Sequence, residues 1–550
     1  MKKEWLIIFL LLLFTIPAAK ALFIPGSYTS HDLTHHIMRQ ISMDKLLTEG
    51  QIPPKWSGEL NNGYGYPVFL FNYPLPYLIG EVFHKAGFSF ISSVKAVFVF
   101  SILISIIGMY LFLKELFQVR LAAILGAVFY LYAPIRFSNI YVSASVGAAL
   151  AAGILPFVFY FMTVLSRQGL RNNLFKILSG SLSLGLLILS HNFTTLLFSP
   201  VILAFGGLLI WQSKEKFRVF RDFGAMFLLG LGMSAWFWLP AMVEKQYLHY
   251  DQYYKFFYKN QFISIPQLFH SPWGYGLSHP QNPNQGDMSY QLGLSQILVI
   301  IILIPVLWVF RKNREVREYG VFSLITFFIA VFMMIKTSQF VWEALPVLSI
   351  IQFPFRFSIV AVFGASLAAA VLIKYLPLKK LLFGGLLLIV LYANRNHYNI
   401  NEVFKTGDEY YLTLTGITSP YGEDLPKWAK VMDKKPPGKL EFTSGFGEIR
   451  VTENKSTKVF AEVEVTNSGK LRFNQFFFPG WQIKIDGKNI QFDYLSDNKS
   501  YGLPIFDIEK GKHQILAEFK NTPIRNMAEI ISVISVILWG GILCKLLIRK

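Results

Sequence analysis

The chain has 550 residues, of which 53% are hydrophobic and only 15% are charged. This composition excludes an ordinary soluble domain and indicates a protein that crosses a membrane many times. The net charge of +19 comes largely from short basic clusters between apolar stretches. It therefore reports membrane topology, and no basic region with interleaved aromatic residues predicts nucleic-acid binding.

An apolar run from Trp5 to Ile16 follows Lys2 and Lys3 at the start of the chain. The small residues after this run come close to a signal-peptide cleavage site without forming a clean one. We expect residues 1–22 to be an uncleaved transmembrane anchor with its N-terminus in the cytoplasm.

Apolar windows of roughly 18 or more residues recur along most of the chain, and each could span a bilayer as a helix. With the anchor, they predict about twelve transmembrane helices, in a polytopic domain at 91–395 and a C-terminal segment at 526–550. The spans after the anchor are centred near 91–113, 120–137, 144–165, 173–190, 192–212, 222–243, 290–310, 318–335, 355–373, 380–395 and 526–545.

Every second loop of this arrangement is strongly basic, which predicts that both termini lie in the cytoplasm and that the large loops lie outside. The expected location is the cytoplasmic membrane of a bacterium. The basic residues are Lys114, Arg120, Arg167, Arg171, Lys176, Lys214, Lys216, Arg218, Arg221, Arg311, Lys312, Arg314, Arg317, Lys374, Lys379, Lys380, Lys545, Arg549 and Lys550.

The first outer loop, residues 23–90, contains the apolar stretch PVFLFNYPLPYLIGEVF, which prolines interrupt at Pro67, Pro74 and Pro76. A full span here would invert every later loop and break the charge pattern. We expect residues 67–86 to lie in the interface or to dip into the membrane and return, where protein or water satisfies the irregular backbone.

Residues 396–525 differ in character from the rest of the chain. Short alternating stretches such as KVFAEVEV and HQILAEF are separated by turn signals, among them Asp486-Gly487. This pattern predicts an extracytoplasmic β-sandwich between two transmembrane helices. The single cysteine, Cys544, lies at the end of the last helix, so the outer domain has no disulfide.

The stretch GSYTSHDLTHHIMRQ follows the anchor and concentrates titratable side chains. On a helix over residues 30–47, Asp32, His35, His36 and Arg39 share one face. Three interpretations remain open. Thr29 and Asp32 have the spacing of a capping box, the histidines could hold zinc, although His31 points away from His36, and Asp32 could be a general base at the edge of a membrane cavity.

The next stretch, IPPKWSGELNNGYGYP, is rich in Pro, Gly, Asn and aromatic residues. Such a composition suits contacts with sugars, for which Trp56, Tyr64 and Tyr66 are the candidates, although an interfacial aromatic belt has the same composition. A second aromatic group lies in the loop 244–289, where an interfacial helix is expected and a substrate lid is the alternative.

Several motifs carry a resemblance that extends over most of the chain. HDLTHH, PPKWSGELNNGYGYP and FNYPLPYL look like the bacterial membrane family labelled 6-pyruvoyl-tetrahydropterin synthase-related. IQFPFRF at 351–357 is similar to a QFPWRF element of that family, and LSHNFTTLL at 189–197 resembles another element. FFFPGWQIKIDGK and KGKHQILAEF look like the outer-domain signature of YfhO-type proteins. The pterin label itself does not predict the chemistry. The soluble pterin enzymes bind zinc through three histidines, whereas the histidines of HDLTHH have poor geometry for a shared metal.

The resemblance implies a GT-C-like glycosyltransferase, with many transmembrane helices, a catalytic carboxylate in the first outer loop and a C-terminal outer domain. Asp32 falls at the position of the base. The donor would be a polyprenyl-phosphate sugar, and Arg356 would bind its phosphate as a bidentate guanidinium, unless it is an arginine that reaches the membrane interface. His191 and Arg39 would assist in binding the phosphate, and His35 and His36 would orient Asp32.

Further expectations concern cofactors and partners. A single carboxylate, followed by Leu33, disfavours a divalent metal without excluding one, and no cofactor is assigned. The partners expected are membrane lipid, the lipid-linked donor and a glycan or other envelope acceptor, with inversion at the sugar if Asp32 is the base. A transporter or flippase of lipid-linked sugars and a non-catalytic envelope scaffold are the alternatives.

Overall fold

The computed structural model describes residues 2–167, 173–495 and 500–548. Arg171, Arg549 and Lys550 of the basic clusters lie outside the described residues, as do the side chains of Lys2 and Lys3. In chain order the α-helices are α1 Lys2–Leu13, α2 Thr15–Ala19, α3 Leu33–Thr48, α4 Val68–Phe71, α5 Leu75–Lys85, α6 Phe90–Phe117, α7 Arg120–Leu131, α8 Pro134–Phe137, α9 Val146–Arg167, α10 Asn173–Ser190, α11 Asn192–Gln212, α12 Lys216–Met233, α13 Ala235–Glu244, α14 Tyr250–Tyr254, α15 Ile265–Phe269, α16 Leu294–Val309, α17 Arg314–Met334, α18 Gln339–Ala344, α19 Ser358–Tyr375, α20 Lys379–Ala393, α21 Asp408–Thr413 and α22 Pro523–Ile548.

Many of these helices are long and apolar enough to cross a membrane, which confirms the multi-pass helical architecture. Seven of the described helices qualify individually: α6, α9, α10, α11, α17, α19 with the turn before it, and α22. Three bent pairs raise the number to ten if each pair is one span; they bend by 42° within Glu4–Phe23, by 51° within Arg120–Val142 and by 70° within Lys216–Tyr247. The predicted count of twelve also needs α16 and α20, which have 16 and 15 residues, and it stays a prediction.

The centre of the helical region is formed by α6, α7, α9 and α19. Nearly every side chain of α19 is buried, as expected for a helix that is apolar on all sides and lies inside a bundle. Aromatic rings fill the space between the helices, with the Phe159 and Phe363 centroids 4.5 Å apart and Phe112 stacked parallel to Phe363 at 5.9 Å. By contrast, α22 leaves most of its apolar side chains exposed, so it is available to lipid.

The apolar stretch at 67–86 folds into α4 and α5 with a break between them. With eleven residues, α5 is about 16 Å long, far less than the roughly 30 Å of a hydrocarbon core. It packs along α3, and Gln40 Nε2 donates a hydrogen bond of 3.2 Å to the carbonyl of Tyr77. Helix α5 is therefore too short to span on its own, and both expected arrangements, lying in the interface or dipping in and returning, remain compatible with it.

The C-terminal region confirms the predicted β-rich domain. The strands are β3 Leu440–Lys455, β4 Lys458–Phe473, β5 Trp481–Ile485, β6 Lys488–Asn489, β7 Ile505–Ile508 and β8 Gly511–Phe519. They form one connected antiparallel sheet in the order β3-β4-β8-β5-β6, with β7 paired to β4, whereas the sandwich prediction implied two stacked sheets. Register shifts between Phe442 and Glu453 bend the long β3–β4 hairpin, and Asp486-Gly487, both at positive φ, close the β5–β6 hairpin.

The first loop and the C-terminal region are bound to each other. A two-stranded pairing joins β1 Ser27–Tyr28 to β2 Val403–Phe404. Lys439 Nζ donates to the carbonyls of Gly58 and Gly63 at 3.1 and 3.0 Å. Because these contacts join segments almost four hundred residues apart in sequence, they hold the C-terminal region against the first outer loop on both sides of α3.

Candidate active site

A cavity of about 660 Å³ lies where the first loop, the helical region and the segment before the β-domain meet. We call it the polar cavity. Its walls come from the start of α3, the start of α11, the loop between α13 and α16, the turn before α19 and the segment Thr418–Asp424. Six of the predicted site residues line it: Asp32, His35, His36, Arg39, His191 and Arg356.

Asp32 lies immediately before α3 and presents its carboxylate to the polar cavity. Its backbone N–H donates to the carbonyl of Ser143 at 3.1 Å, which fixes the helix start against the bent span. The capping-box interpretation is wrong: the Asp32 side chain makes no cap hydrogen bond, and the Thr29 hydroxyl donates instead to the carbonyl of Glu402 at 3.2 Å. Ser30 Oγ accepts from the Leu33 N–H at 3.2 Å, so the Asp32 carboxylate is not needed for the helix.

The electrostatic surroundings of Asp32 are mixed. Burial raises the pKa of its carboxyl group above the ordinary value, and the nearby Glu423 carboxylate acts in the same direction. His31, Arg39 and Arg356 oppose this shift and lower the pKa. A carboxylate with a raised pKa is a stronger base than a solvated aspartate.

The histidines of the cluster do not converge on a metal. His31 Nε2 contacts the carbonyl of Gly276 at 2.8 Å, and His36 Nδ1 contacts the Tyr77 hydroxyl at 2.7 Å. Among the described residues, no three His, Cys, Asp or Glu side chains are grouped as metal ligands. Burial, with Arg39 as the second cause, lowers the pKa of His35 to about 4 and that of His36 below its ordinary value, so both rings are neutral at neutral pH.

Arg39 is buried and binds the segment that enters the β-domain. Its Nε donates to Thr418 Oγ1 at 3.0 Å and its Nη2 donates to the carbonyl of Thr418 at 2.6 Å. Nη2 also lies 3.9 Å from Asp424 Oδ2. Nη1 also donates to the Tyr77 hydroxyl at 3.5 Å, so all three guanidinium nitrogens have a protein partner, and these contacts support a positioning role rather than the predicted phosphate contact.

Arg356 is a half-buried cation without an acidic partner among the residues that the structure describes. Its Nη1 donates to the carbonyl of Ile351 at 2.8 Å and to Gln352 Oε1 at 3.0 Å. The guanidinium lies over the rings of Phe193 and Phe353, at 4.4 and 5.0 Å from their centroids. No described carboxylate forms a salt bridge with it, and its side chain forms part of the cavity wall.

His191 caps α11 at the edge of the cavity. Its Nδ1 accepts from the Thr194 N–H at 3.2 Å and contacts the Thr194 hydroxyl at 2.8 Å. Burial, followed by the charge of Arg356, lowers the pKa of His191. A neutral imidazole that accepts at Nδ1 carries its proton on Nε2, so this ring can donate one hydrogen bond to a ligand.

The three aromatic residues predicted to contact sugar lie outside the cavity, which corrects that expectation. Trp56 is fully buried, packs edge-on against Trp481 at 5.5 Å and donates from Nε1 to Gln475 Oε1 at 2.9 Å. Tyr64 packs against Phe476, and the Tyr66 hydroxyl is bound to Thr418. Trp56 and Tyr64 therefore pack the first loop against the β-domain, and Tyr66 binds the segment that leads into it.

The structure adds residues that the sequence did not single out. Glu423 accepts from the Tyr254 hydroxyl at 2.8 Å, and Asp424 Oδ2 accepts from Asn72 Nδ2 at 2.7 Å. Both carboxylates line the cavity and are mostly buried. The available signal in the sequence was two adjacent acidic residues, Glu423 and Asp424, within the Pro- and Gly-containing stretch SPYGEDLP.

The aromatic loop 244–289 also differs from expectation. It contains two short α-helices and two 3₁₀ turns, at Lys245–Tyr247 and Phe257–Asn260, instead of one interfacial helix. Tyr250, Tyr254 and Phe257 face the polar cavity. The loop is thus part of the cavity wall.

The central region of the chain matches a known family of membrane proteins. The family model described as a 6-pyruvoyl-tetrahydropterin synthase related domain, membrane protein, matches residues 70–399. No curated protein matches the chain. The matched region is more than half of the chain and contains both the LSHNFTTLL and the IQFPFRF elements.

Solved structures show only weak similarity. ArnT from Cupriavidus metallidurans bound to undecaprenyl phosphate is 13% identical with a TM-score of 0.39, covering 68% of this chain and 61% of that one. The arabinofuranosyltransferase AftD from Mycobacteria is 13% identical with a TM-score of 0.44, covering 72% of this chain and 26% of that one. The chain thus spans about three fifths of ArnT and about a quarter of AftD, and similarities this low do not indicate a shared activity.

Proposed function

The chain belongs to the 6-pyruvoyl-tetrahydropterin synthase-related family of membrane proteins, and from that premise we propose that it is a membrane glycosyltransferase. It transfers a sugar from a polyprenyl-phosphate donor to an extracytoplasmic acceptor, such as a glycan of the cell envelope. It resides in the bacterial cytoplasmic membrane with both termini inside and the β-domain outside, as the basic loops suggest.

The observation that carries this proposal is the pair of unneutralised charges in the polar cavity. Asp32 has a carboxylate that caps no helix, and Arg356 has a guanidinium without an acidic partner among the described residues. The two influence each other electrostatically without forming a salt bridge. Two opposite charges that are half-buried and do not pair destabilise the folded protein. A reaction that needs a base and a cation on opposite sides of a substrate explains why such an arrangement is kept.

The roles follow from the chemistry of glycosyl transfer. Asp32 takes the proton of the acceptor hydroxyl while that oxygen forms a bond to the anomeric carbon of the donor sugar. The bond between this carbon and the phosphate oxygen breaks, and polyprenyl phosphate leaves with the bonding electron pair. Arg356 and the Nε2 proton of His191 stabilise the charge on the leaving phosphate. Attack opposite to the leaving group inverts the anomeric centre.

The pterin chemistry in the family description has no support from the histidines. His31 and His36 each use a ring nitrogen for a protein contact, to Gly276 and Tyr77. In the described part of the chain, no three His, Cys, Asp or Glu side chains, the cavity carboxylates included, are grouped as metal ligands. The proposed steps use the side chains of Asp32, Arg356 and His191.

The test uses the purified full-length protein in nanodiscs with polyprenyl-phosphate hexoses and pentoses as donors. We expect turnover by the wild type and a loss of about a hundredfold or more in Asp32→Asn, because general bases contribute roughly 10²- to 10⁴-fold. Asp44→Asn is the matched control, since Asp44 lies on the same helix and pairs with Lys85 outside the cavity.

Two outcomes would contradict the proposal. Equal turnover in wild type and Asp32→Asn would remove Asp32 from the mechanism. Absence of turnover with every donor, together with movement of the lipid-linked sugar across proteoliposomes, would identify a transporter.

A further inference from the structure

We propose that the segment Thr418–Asp424 recognises the transferred sugar, with Asp424 and Ser419 binding neighbouring hydroxyls of a neutral hexose or pentose. This inference rests on the proposed function and names the part of the polar cavity that contacts the sugar. The segment leads from the helical region into the β-domain, so the cavity is completed by chain that lies almost four hundred residues after Asp32.

Asp424 is a carboxylate with one oxygen in use. Its Oδ2 accepts from Asn72 Nδ2 at 2.7 Å and lies 3.9 Å from Arg39 Nη2. Its Oδ1 has no hydrogen-bond partner among the described residues, although only 10% of the side chain is exposed. The free oxygen borders the cavity and can accept a hydrogen bond from a ligand.

Ser419 provides the second, independent observation. The residue is 3% exposed and lines the cavity, and its Oγ has no hydrogen-bond partner in the described part of the chain. Buried hydroxyls without partners are rare because they lose their hydrogen bonds to water. A ligand hydroxyl beside Ser419 and Asp424 would satisfy both groups.

Tyr421 supplies an aromatic surface between these two residues. Half of its surface is exposed, and its ring stacks on Tyr253 with centroids 5.7 Å apart. Its backbone N–H donates to Glu423 Oε2 at 3.0 Å, so Glu423 has both oxygens occupied and positions the ring. An amphipathic ring held in this way suits the apolar C–H face of a sugar.

The position of Arg39 favours a neutral sugar over an amino sugar. Arg39 lies 3.9 Å from Asp424, so an ammonium group at the free Asp424 oxygen would also lie near the guanidinium and be repelled by it, whereas the neighbouring Glu423 carboxylate is already bound by Tyr254 and by the Tyr421 N–H. Hydroxyl groups avoid this repulsion and still use the free Asp424 oxygen as an acceptor.

The experiment measures binding to the purified full-length protein in nanodiscs with two kinds of probe. The first is a set of methyl glycosides of neutral hexoses and pentoses, with methyl glucosaminide as the cationic comparison. The second is undecaprenyl phosphate, which carries no sugar. The variants are Asp424→Asn, Ser419→Ala and Arg356→Gln, and Asp251→Asn is the control because Asp251 is exposed and outside the cavity.

We expect at least one neutral glycoside to bind and to be weakened about tenfold or more by Asp424→Asn and severalfold by Ser419→Ala. Undecaprenyl phosphate should bind these two variants as it binds the wild type. Arg356→Gln should instead weaken the binding of undecaprenyl phosphate and leave the binding of the glycosides unchanged. Asp251→Asn should leave both kinds of probe unchanged.

Several results would overturn the inference: no binding of any neutral glycoside, unchanged binding in both Asp424→Asn and Ser419→Ala, or preference for methyl glucosaminide. Equal loss of undecaprenyl phosphate in Asp424→Asn would indicate a structural role for Asp424. Failure of the proposed function is distinguishable, because Asp424-dependent glycoside binding would then persist without turnover of any lipid-linked donor.

Discussion

Gln352 and Arg356 are joined by a hydrogen bond of 3.0 Å from the guanidinium Nη1 to Gln352 Oε1. The backbone of Gln352 has a φ of 66° and a ψ of −54°, and the Phe353 N–H donates to the carbonyl of Ile351 at 2.7 Å across it. This is a tight γ-turn of a kind that L-residues rarely adopt. Gln352 Nε2 also donates to the Tyr250 hydroxyl at 2.9 Å, so one strained residue positions two groups of the cavity.

Substitutions at Gln352 separate the strain from the contacts. Gln352→Ala and Gln352→Gly both lose the hydrogen bond to Arg356, so both should weaken binding of undecaprenyl phosphate by up to about tenfold. Glycine accepts a positive φ without steric cost, so Gln352→Gly should be more stable than Gln352→Ala by about 1 kcal/mol. Thermal unfolding and lipid binding of the two purified variants measure these effects. Equal stability of the two would show that the turn stores no strain.

The pH dependence of transfer should report the surroundings of Asp32. Transfer requires the deprotonated carboxylate, and burial raises the pKa of this group, so the acidic limb of kcat/KM should lie above the range of an ordinary aspartate. Arg356 lowers the pKa of Asp32 and Glu423 raises it. The limb should therefore move to higher pH in Arg356→Gln and to lower pH in Glu423→Gln. If the acidic limb of kcat/KM lies at the same pH in both variants and in the wild type, a group other than Asp32 is responsible for it.

Asp424 should make the stability of the protein depend on pH. Burial, with Glu423 as the second cause, raises the pKa of Asp424 to about 6, whereas an aspartate in an unfolded chain has a pKa of about 3.9. Between these values the native state binds more protons than the unfolded state. The stabilising contribution is therefore complete below about pH 4 and is lost as the pH rises through about 6.

The measurement for this prediction is the Tm from pH 4 to pH 8 in detergent. The decrease in Tm between pH 4 and pH 8 should be smaller in Asp424→Asn than in the wild type, because the contribution of this carboxyl group is gone. The Tm of Asp251→Asn should follow that of the wild type. Parallel curves for wild type and Asp424→Asn would contradict the assignment.

A buried ion pair connects the last helix to the bent span before the aromatic loop. Arg525 Nη2 lies 2.8 Å from Glu244 Oε2, and the two side chains are 1% and 3% exposed. Removing one partner leaves a buried charge unpaired, so Glu244→Gln or Arg525→Met should each destabilise the protein by about 3–5 kcal/mol. The double variant Glu244→Leu with Arg525→Met should recover most of that loss.

The exposed pair Lys259–Glu343, 3.0 Å apart, is the control for this comparison. Glu343→Gln should change the stability by less than about 1 kcal/mol because exposed ion pairs contribute little. Unfolding of the four variants in the same detergent provides the data. If the double variant loses as much free energy of unfolding as the two single variants together, the effects of Glu244 and Arg525 come from contacts other than their ion pair.

The sequence was sufficient for the features that depend on local periodicity. The length of the apolar runs predicted the multi-pass helices, and the alternation in KVFAEVEV predicted β4, where Val459, Ala461, Val463 and Val465 are buried in turn. Helical spacing also placed Asp32 and Arg39 on one face, and both line the cavity. In each case the relevant residues are close in the chain, so backbone geometry alone sets their relative positions.

Only the tertiary structure decided which distant segments meet. It placed Asp424 beside Arg39 and brought Asp32 and Arg356 to the wall of one cavity, and it buried Trp56 against Trp481. These contacts depend on how helices and the sheet pack after hundreds of intervening residues, and no periodicity encodes that arrangement. A ring that binds sugar and a ring that seals a domain interface need the same apolar surface, and only its location in the folded chain distinguishes the two.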